Sequence, residues 1–215
     1  MTPLIILLRR EILLAYSGGG ATLPVAFFLL VATLFPFAVG PDGPLLARTG
    51  GGVVWIAALL AALLPIDRLI APDAENGVLD QLATRGISEE GAAAVKLAAH
   101  WIGFGPPLMI ATLPGAALLR LDGATVARLE IGLLIGTPGL AALALVTSAI
   151  TLGLRGAGAL AGLLMLPLAV PILIFGAGSL GAEANGGLKL LAAASLLLVA
   201  VAPFAAGAAI RAARE

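Results

Sequence analysis

Six long apolar segments, separated by short polar or turn-forming stretches, dominate the sequence pattern. A helix needs about 20 mainly apolar residues to cross the hydrocarbon core of a bilayer. The pattern therefore predicts an all-α integral membrane protein that forms one transmembrane domain over residues 1–215. Its six spans are expected near residues 22–39, 52–66, 92–119, 131–152, 159–180 and 188–209.

The N-terminal stretch 3–16 is too short and too charged to cross a membrane. Apolar side chains recur at helical spacing on one face, namely Ile5, Leu8, Ile12 and Ala15. Charged side chains fall on the other face, namely Arg9, Arg10 and Glu11. This pattern is typical of an amphipathic helix that lies in the membrane interface.

Residues 67–91 form the only long polar segment. Pro72 is suited to open a short helix, Gly77 interrupts that helix, and a small apolar face follows at Val78, Leu79 and Leu82. Ser88 followed by Glu89 and Glu90 predicts the start of the next helix, because a hydroxyl caps the backbone and acids favour the positive end of the dipole.

Such a short amphipathic helix can fit a groove on a soluble partner and pass a rigid-body shift to the attached spans. The alternative interpretation of residues 67–91 is an ordinary solvated loop.

Composition agrees with a membrane protein. The chain of 215 residues is 60% hydrophobic and only 11% charged, with a mean hydropathy of +1.11, whereas soluble domains carry roughly 25% charged residues. The formal net charge is zero, so nothing suggests nucleic-acid binding. No cysteine is present, which excludes disulfides, thiol redox chemistry and iron–sulfur ligation.

Lysine and arginine in the loops predict the orientation. If the N-terminus is cytoplasmic, eight basic residues fall on the cytoplasmic side: Arg9, Arg10, Arg68, Arg85, Lys96, Arg155, Arg211 and Arg214. Four fall outside: Arg48, Arg120, Arg128 and Lys189. This excess predicts that both termini are cytoplasmic. Trp55 and Trp101 then fall near span ends, where interfacial anchoring is expected.

Several kinds of chemistry are missing from the sequence. It contains no G-x-x-x-x-G-K-[ST] motif, so it cannot bind nucleotide through a P-loop. We expect no ionisable residue in the core of a span, which argues against a proton-coupled transporter. No nucleophile–base pair or metal-ligand cluster is visible, so an enzyme is not expected. Energy for any transport must come from a partner.

His100 is the only histidine. An imidazole near the cytoplasmic interface can ligate haem iron or another metal. A lone histidine without a second ligand nearby is more often a packing residue, and both interpretations stay open. The pairs Gly132/Gly136 and Gly158/Gly162 have G-x-x-x-G spacing, which permits close helix packing within the chain or across a dimer. We favour packing within the chain.

Several runs of residues are similar to CcmB, the haem exporter protein B family of cytochrome c maturation. They include Thr33–Pro36, Leu45–Arg48, Trp55–Leu60, Asp67–Leu69, Lys96–Trp101, Gly136–Pro138 and Pro171–Phe175. The resemblance runs in colinear order from about residue 5 to residue 210.

The resemblance implies a six-span permease of the ABC-2 type in the bacterial inner membrane. Such a permease works with a cytoplasmic ATPase (CcmA), two copies of each being expected, and with the membrane proteins CcmC and CcmD. ATP then acts through the partner. The implied role is haem delivery for c-type cytochromes, either by moving haem or by releasing the haem-loaded chaperone CcmE. We favour release, because haem propionates would need basic residues along a route through the span cores.

We expect the following residues to couple to the ATPase: Asp73, Glu75, Gly77, Val78, Leu79, Asp80, Leu82 and Arg85. The alternative function is a passive membrane scaffold that positions other proteins without transport.

Overall fold

The computed structural model describes residues 3–17, 21–181 and 184–214. Within these ranges the chain forms nine α-helices, a 3-10 turn at Ile66–Arg68 and no β-strand. The helices are α1 Pro3–Tyr16, α2 Thr22–Val39, α3 Gly43–Leu63, α4 Ala71–Glu75, α5 Val78–Thr84, α6 Glu89–Leu118, α7 Gly123–Ile150, α8 Ala157–Gly178 and α9 Ala184–Ala212.

Six of these helices are long and apolar enough to cross a membrane, namely α2, α3, α6, α7, α8 and α9. The prediction of an all-α membrane protein with six spans is therefore confirmed. α3 and α7 begin before their predicted spans because aspartates cap them: Asp42 accepts a hydrogen bond from the amide of Leu45 at 3.0 Å, and Asp122 from that of Thr125 at 2.7 Å. The predicted start of α6 is confirmed, since Ser88 accepts from the amide of Gly91 at 3.1 Å.

Helix α7 lies at the centre of the bundle, in contact with α3, α6, α8 and α9. Fully buried leucines line it, at positions 129, 133, 140 and 145. Helices α2 and α8 lie at the periphery and expose large apolar side chains, such as Phe37 (82% exposed) and Leu163 (67%). These outer faces suit contact with lipid, because a water-soluble surface would carry polar groups there.

Trp55 of α3 is buried in the bundle, with 1% of its surface exposed. A side chain at Gly136 would lie 2.7 Å from the indole, and one at Gly132 would lie 3.2 Å from it. Gly176 of α8 packs equally close to the ring. The prediction that Trp55 anchors the chain at the interface is therefore wrong. The prediction that Gly132 and Gly136 serve packing within the chain is confirmed.

Trp101 of α6 is half-buried and donates a hydrogen bond from its indole N–H to Thr137 Oγ1 of α7 at 3.0 Å. It therefore connects two spans. The second glycine pair does not pack as a pair within the chain, because Gly158 packs against Asp67 whereas a side chain at Gly162 would meet nothing within 4 Å.

Candidate functional site

The candidate site lies where α1 packs along the N-terminal half of α6. Leu4 lies beside Gly91, and Ala15 lies beside Gly103. Tyr16 donates its hydroxyl hydrogen to the carbonyl of Ile102 at 3.0 Å. The two helices therefore run side by side in the same direction, so α1 is joined lengthwise to a span. Its depth in the bilayer stays a prediction.

This packing turns charged residues of α1 toward the protein. Leu7 is buried with Ala92 and Val95 of α6, and only 11% of the Glu11 side chain is exposed. The outward side instead carries large apolar residues, including Ile5, Ile6 and Leu13. The predicted assignment of faces on α1 is therefore wrong at Arg10 and Glu11, which turn toward the protein. Helical spacing alone gave no information on which side would meet α6.

Arg10, Glu11, Asp73 and Lys96 form an ion cluster between α1, α4 and α6. Arg10 donates to Asp73 Oδ1 at 2.7 Å and to Glu11 Oε1 at 2.6 Å. Lys96 donates to Glu11 Oε2 at 3.1 Å and to Asp73 Oδ2. Four side chains from three helices thus share one network, which we call the ion cluster.

The ion cluster is electrically balanced, with two cations against two carboxylates. The hydrogen bond to Asp73 raises the pKa of Arg10 above its ordinary value, so the guanidinium stays charged. Only 4% of Lys96 is exposed, and an unpaired charge so deeply buried would be costly. Lys96 lies about two turns into α6, so the expectation of span cores without ionisable residues needs correction there. Glu130 of α7, one residue before the predicted span 131–152, also has one buried carboxylate oxygen.

A cavity of about 500 Å³ lies beside the ion cluster, between α1, the segment that follows α3, and α6. We call it the α1–α6 cavity. Arg10, Arg68 and Lys96 contribute cationic groups to its lining, while Leu14 and Phe104 contribute apolar surface.

His100 lines the α1–α6 cavity one turn after Lys96. It is 6% exposed, its ring centroid lies 4.9 Å from that of Phe104, and its Nε2 is buried without a hydrogen-bond partner in the described part of the chain. No group of three or more His, Asp or Glu residues that could hold a metal ion occurs among the described residues. His100 is therefore the one imidazole that a haem in this cavity could meet, and its role stays a prediction.

The predicted coupling residues fall into two groups, one turned toward the bundle and one exposed on its surface. Asp73 joins the ion cluster, Leu79 is 6% exposed, and Leu82 packs against the Leu7–Ala92–Val95 contact. Val78 lines the α1–α6 cavity. Leu79 is therefore covered by the chain itself, whereas Val78 and Leu82 are half-buried, and the role of these residues in coupling to a partner stays a prediction. Leu79 packs into the main core and Leu82 packs against Leu7, Ala92 and Val95, so both hold α5 against the bundle, because burial there removes apolar surface from water.

The other predicted coupling residues remain accessible. Glu75, Asp80 and Arg85 are exposed. Gly77 has a φ of +68° at the start of α5, a left-handed conformation that glycine adopts without strain. The outward surface of α4 and α5 is thus polar and is completed by Gln81 and Thr84.

The C-terminal end of α9 is fastened to the same end of the bundle. Arg214 pairs with Asp80 Oδ1 at 2.6 Å and with Glu89 Oε1 at 2.7 Å, and Arg211 pairs with Glu90. The Arg10–Asp73 pair places α1 there as well. Both terminal helices and residues 67–91 therefore meet at one end, as the predicted topology requires.

The loop 151–156 extends this end of the bundle. Ser148, just before it, donates its hydroxyl hydrogen to the carbonyl of Ile66 at 3.1 Å. A second cavity of about 380 Å³ separates the loop from α4 and is lined by Asp67 and Glu75. Leu154 is 54% exposed beside exposed Arg155. We call the exposed residues of α4, α5 and this loop the end face.

Comparison with known proteins agrees with the architecture. The family model described as CcmB protein matches residues 2–213. The chain is 48% identical over 211 residues to Heme exporter protein B of Paracoccus denitrificans, covering 95% of this chain and 97% of the relative. It is 47% identical over 211 residues to Heme exporter protein B of Rhodobacter capsulatus, with the same coverage. Identity to the protein of that name from Bradyrhizobium diazoefficiens is 42% over 218 residues, covering 98% of each chain.

Proposed function

The chain belongs to the CcmB family, and from that premise we propose that it is the membrane-spanning permease of an ATP-driven complex that delivers haem for c-type cytochrome biogenesis. Two features support this: six spans, and one polar end face where both terminal helices meet the segment after α3. The relatives are named as haem exporters. The permease itself hydrolyses nothing, and a CcmA-like ATPase supplies the energy.

The complex lies in the bacterial inner membrane with the end face and both termini in the cytoplasm. The excess of arginine and lysine on that side supports this orientation. As part of the same proposal, residues 1–215 act as a single permease domain, two copies of it join two ATPase subunits, and CcmC-like, CcmD-like and CcmE-like proteins complete the pathway.

The end face is the docking surface for the ATPase. Its members come from two separate segments, with Glu75, Asp80 and Arg85 on one and Leu154 and Arg155 on the other. The end face thus combines exposed charged side chains with an exposed leucine, and protein–protein interfaces likewise combine polar and apolar groups. The coupling role therefore rests on the outward side of α4 and α5, and the buried Leu79 holds that side in place.

The ion cluster transmits the movement inward. Asp73 lies on α4, two residues before the exposed Glu75, and its carboxylate is held by Arg10 of α1 and Lys96 of α6. A shift of α4 must therefore move α1 and α6 or break buried ion pairs. Rigid segments joined in this way pass on displacements as units.

ATP hydrolysis serves release of the haem-loaded chaperone in this proposal. The cations nearest the bundle interior, Arg10 and Lys96, are both held by carboxylates of the ion cluster. Haem propionates that crossed the whole bundle would need basic side chains along the route, and the middle of the six spans carries no arginine or lysine.

Co-purification tests the docking surface. The chain is expressed with its ATPase, and Arg85→Glu is compared with Arg128→Glu, an exposed arginine at the opposite end of the bundle. We expect Arg85→Glu to reduce the recovered ATPase several-fold and to lower its stimulated hydrolysis, while Arg128→Glu changes neither. Undiminished ATPase with an Arg85→Glu, Leu154→Asp double variant would contradict the proposal.

The passive scaffold makes a different prediction. An ATPase that binds but cannot hydrolyse ATP should still support cytochrome c assembly if this chain only positions other proteins. We expect assembly to stop, with the complex intact. The mass of that purified complex also gives the number of copies of each subunit.

A further inference from the structure

The α1–α6 cavity has two chemically different sides. Leu14, Leu69 and Phe104 provide apolar surface, and Arg10, Arg68 and Lys96 provide positive charge. Its volume of about 500 Å³ lies within the range of small-molecule sites, which are mostly apolar with a few converging polar groups. The proposed docking and transmission steps use its ion cluster but leave the cavity without a role.

Five charged side chains line the cavity. Three cations line it, Arg10, Arg68 and Lys96, against the carboxylates of Glu11 and Asp73. An ammonium group has three N–H donors, and Lys96 uses them for two carboxylate partners among the described residues. Arg10 keeps 38% of its side chain exposed. The lining can therefore accept one further anionic group while its own ion pairs remain.

His100 adds an unused polar atom to this lining. Its side chain is more than nine-tenths buried, and its Nε2 has no hydrogen-bond partner within the described ranges. Buried polar atoms nearly always have a partner, so an exception needs an explanation such as a bound molecule.

We propose that the α1–α6 cavity binds one amphiphilic anion, a molecule with an apolar body and a carboxylate or phosphate group. The anionic group lies among Arg10, Arg68 and Lys96. The apolar body packs against Leu14 and Phe104. Two sources offer this chemistry: a porphyrin with its carboxylates, and an anionic phospholipid. The porphyrin source rests on the proposed function, whereas the site itself does not.

Binding to the purified full chain tests the site without any ATPase, so its outcome is separate from that of the docking experiment. The chain is placed in phosphatidylcholine nanodiscs. Fe(III)-protoporphyrin IX and metal-free protoporphyrin IX are titrated by absorbance and fluorescence. Phosphatidylglycerol retained from mixed nanodiscs is counted by native mass spectrometry.

Two variants alter the cavity and two matched variants control for them. Arg68→Gln removes an exposed cation of the lining, and Arg128→Gln removes an exposed cation elsewhere. Ala99→Phe fills the cavity, and exposed Ala159→Phe adds the same bulk beside the second cavity. We expect Arg68→Gln to weaken binding about tenfold, the worth of one hydrogen bond to a charged group. Ala99→Phe should abolish binding, and the controls should bind as the wild type does.

The outcomes identify the occupant or reject the site. Porphyrin binding that Ala99→Phe removes supports a porphyrin, and selective retention of phosphatidylglycerol over phosphatidylcholine supports a lipid. If iron porphyrin binds more tightly than the metal-free form and His100→Ala cancels that difference, the imidazole touches the metal. If Arg68→Gln binds the probe as tightly as the wild type does, the proposal is overturned, even if Ala99→Phe fails to fold. The absence of both porphyrin binding and lipid selectivity also overturns it.

Discussion

The ion cluster gives the sharpest test of how the permease is held together. Asp73→Asn removes one carboxylate charge with little change of shape, and Lys96→Met removes the ammonium while keeping a similar chain length. Each single change leaves the cluster with an uncompensated charge, positive in the first case and negative in the second. The double variant restores balance, because Arg10 and Glu11 still pair at 2.6 Å.

The burial of these groups sets the expected size of the effect. Asp73 and Lys96 side chains are 9% and 4% exposed, and removing one partner of a buried pair costs about 3–5 kcal/mol. We therefore expect each single variant to lose about that much free energy of unfolding. Replacing both partners of a buried pair is often nearly neutral, so the double variant should lose clearly less than the sum of the singles. The coupling should reach at least about 1 kcal/mol.

The free energy of unfolding is measured in mixed detergent micelles by circular dichroism for all four proteins of this double-mutant cycle. Asp80→Asn is the matched control, because its ion pair with Arg214 has a length of 2.6 Å but its side chain is 68% exposed. Exposed pairs contribute about 0–1 kcal/mol. Additive losses in the double variant, or a loss for Asp73→Asn no larger than that of the control, would refute the assigned role of burial.

Three further changes test other parts of the structure. Gly136→Ala should destabilise the bundle because the new methyl group lies 2.7 Å from Trp55, whereas Gly162→Ala, with open space around it, should not; thermal unfolding compares them. Leu79→Asp should lower the yield of folded protein in size-exclusion chromatography, since it buries a charge. Asp122→Ala should lower the melting temperature at neutral pH while Asp122→Asn keeps most of it. Hydrogen bonding to the amide of Thr125 lowers the pKa of Asp122 below 3.8. The difference in melting temperature between the wild type and Asp122→Ala should therefore persist above pH 3.8 and fade as the pH falls through the lowered pKa.

The outcome along the 67–91 segment shows where sequence reasoning succeeded and failed. Ser88 was identified as a helix start because capping depends on residues within one turn. Val78, Leu79 and Leu82 form the predicted apolar face, but Leu79 is buried and the other two are half-buried by the chain itself. An apolar face predicts that it is buried, but it does not identify whether α1, α6 or another protein covers it.

Arg10 and Lys96 illustrate the same limit for charges. Each looked like an ordinary cytoplasmic cation, and only their distance in space from Asp73 makes them members of one network. The position of Lys96 inside a predicted span could have indicated that it has an ion-pair partner, because an unpaired ammonium there would be costly. Its partners lie 85 and 23 positions away, at Glu11 and Asp73, so no local pattern could name them.

The sequence by itself determined the six spans, the helix start at Ser88 and the family, because each depends on composition or on residues close along the chain. The tertiary structure alone decided that Trp55 lies among glycines, that α1 turns its charges inward, and that a cavity opens beside His100. Those facts depend on which helix faces meet. Packing between distant segments chooses those faces, since periodicity shows only that a face exists.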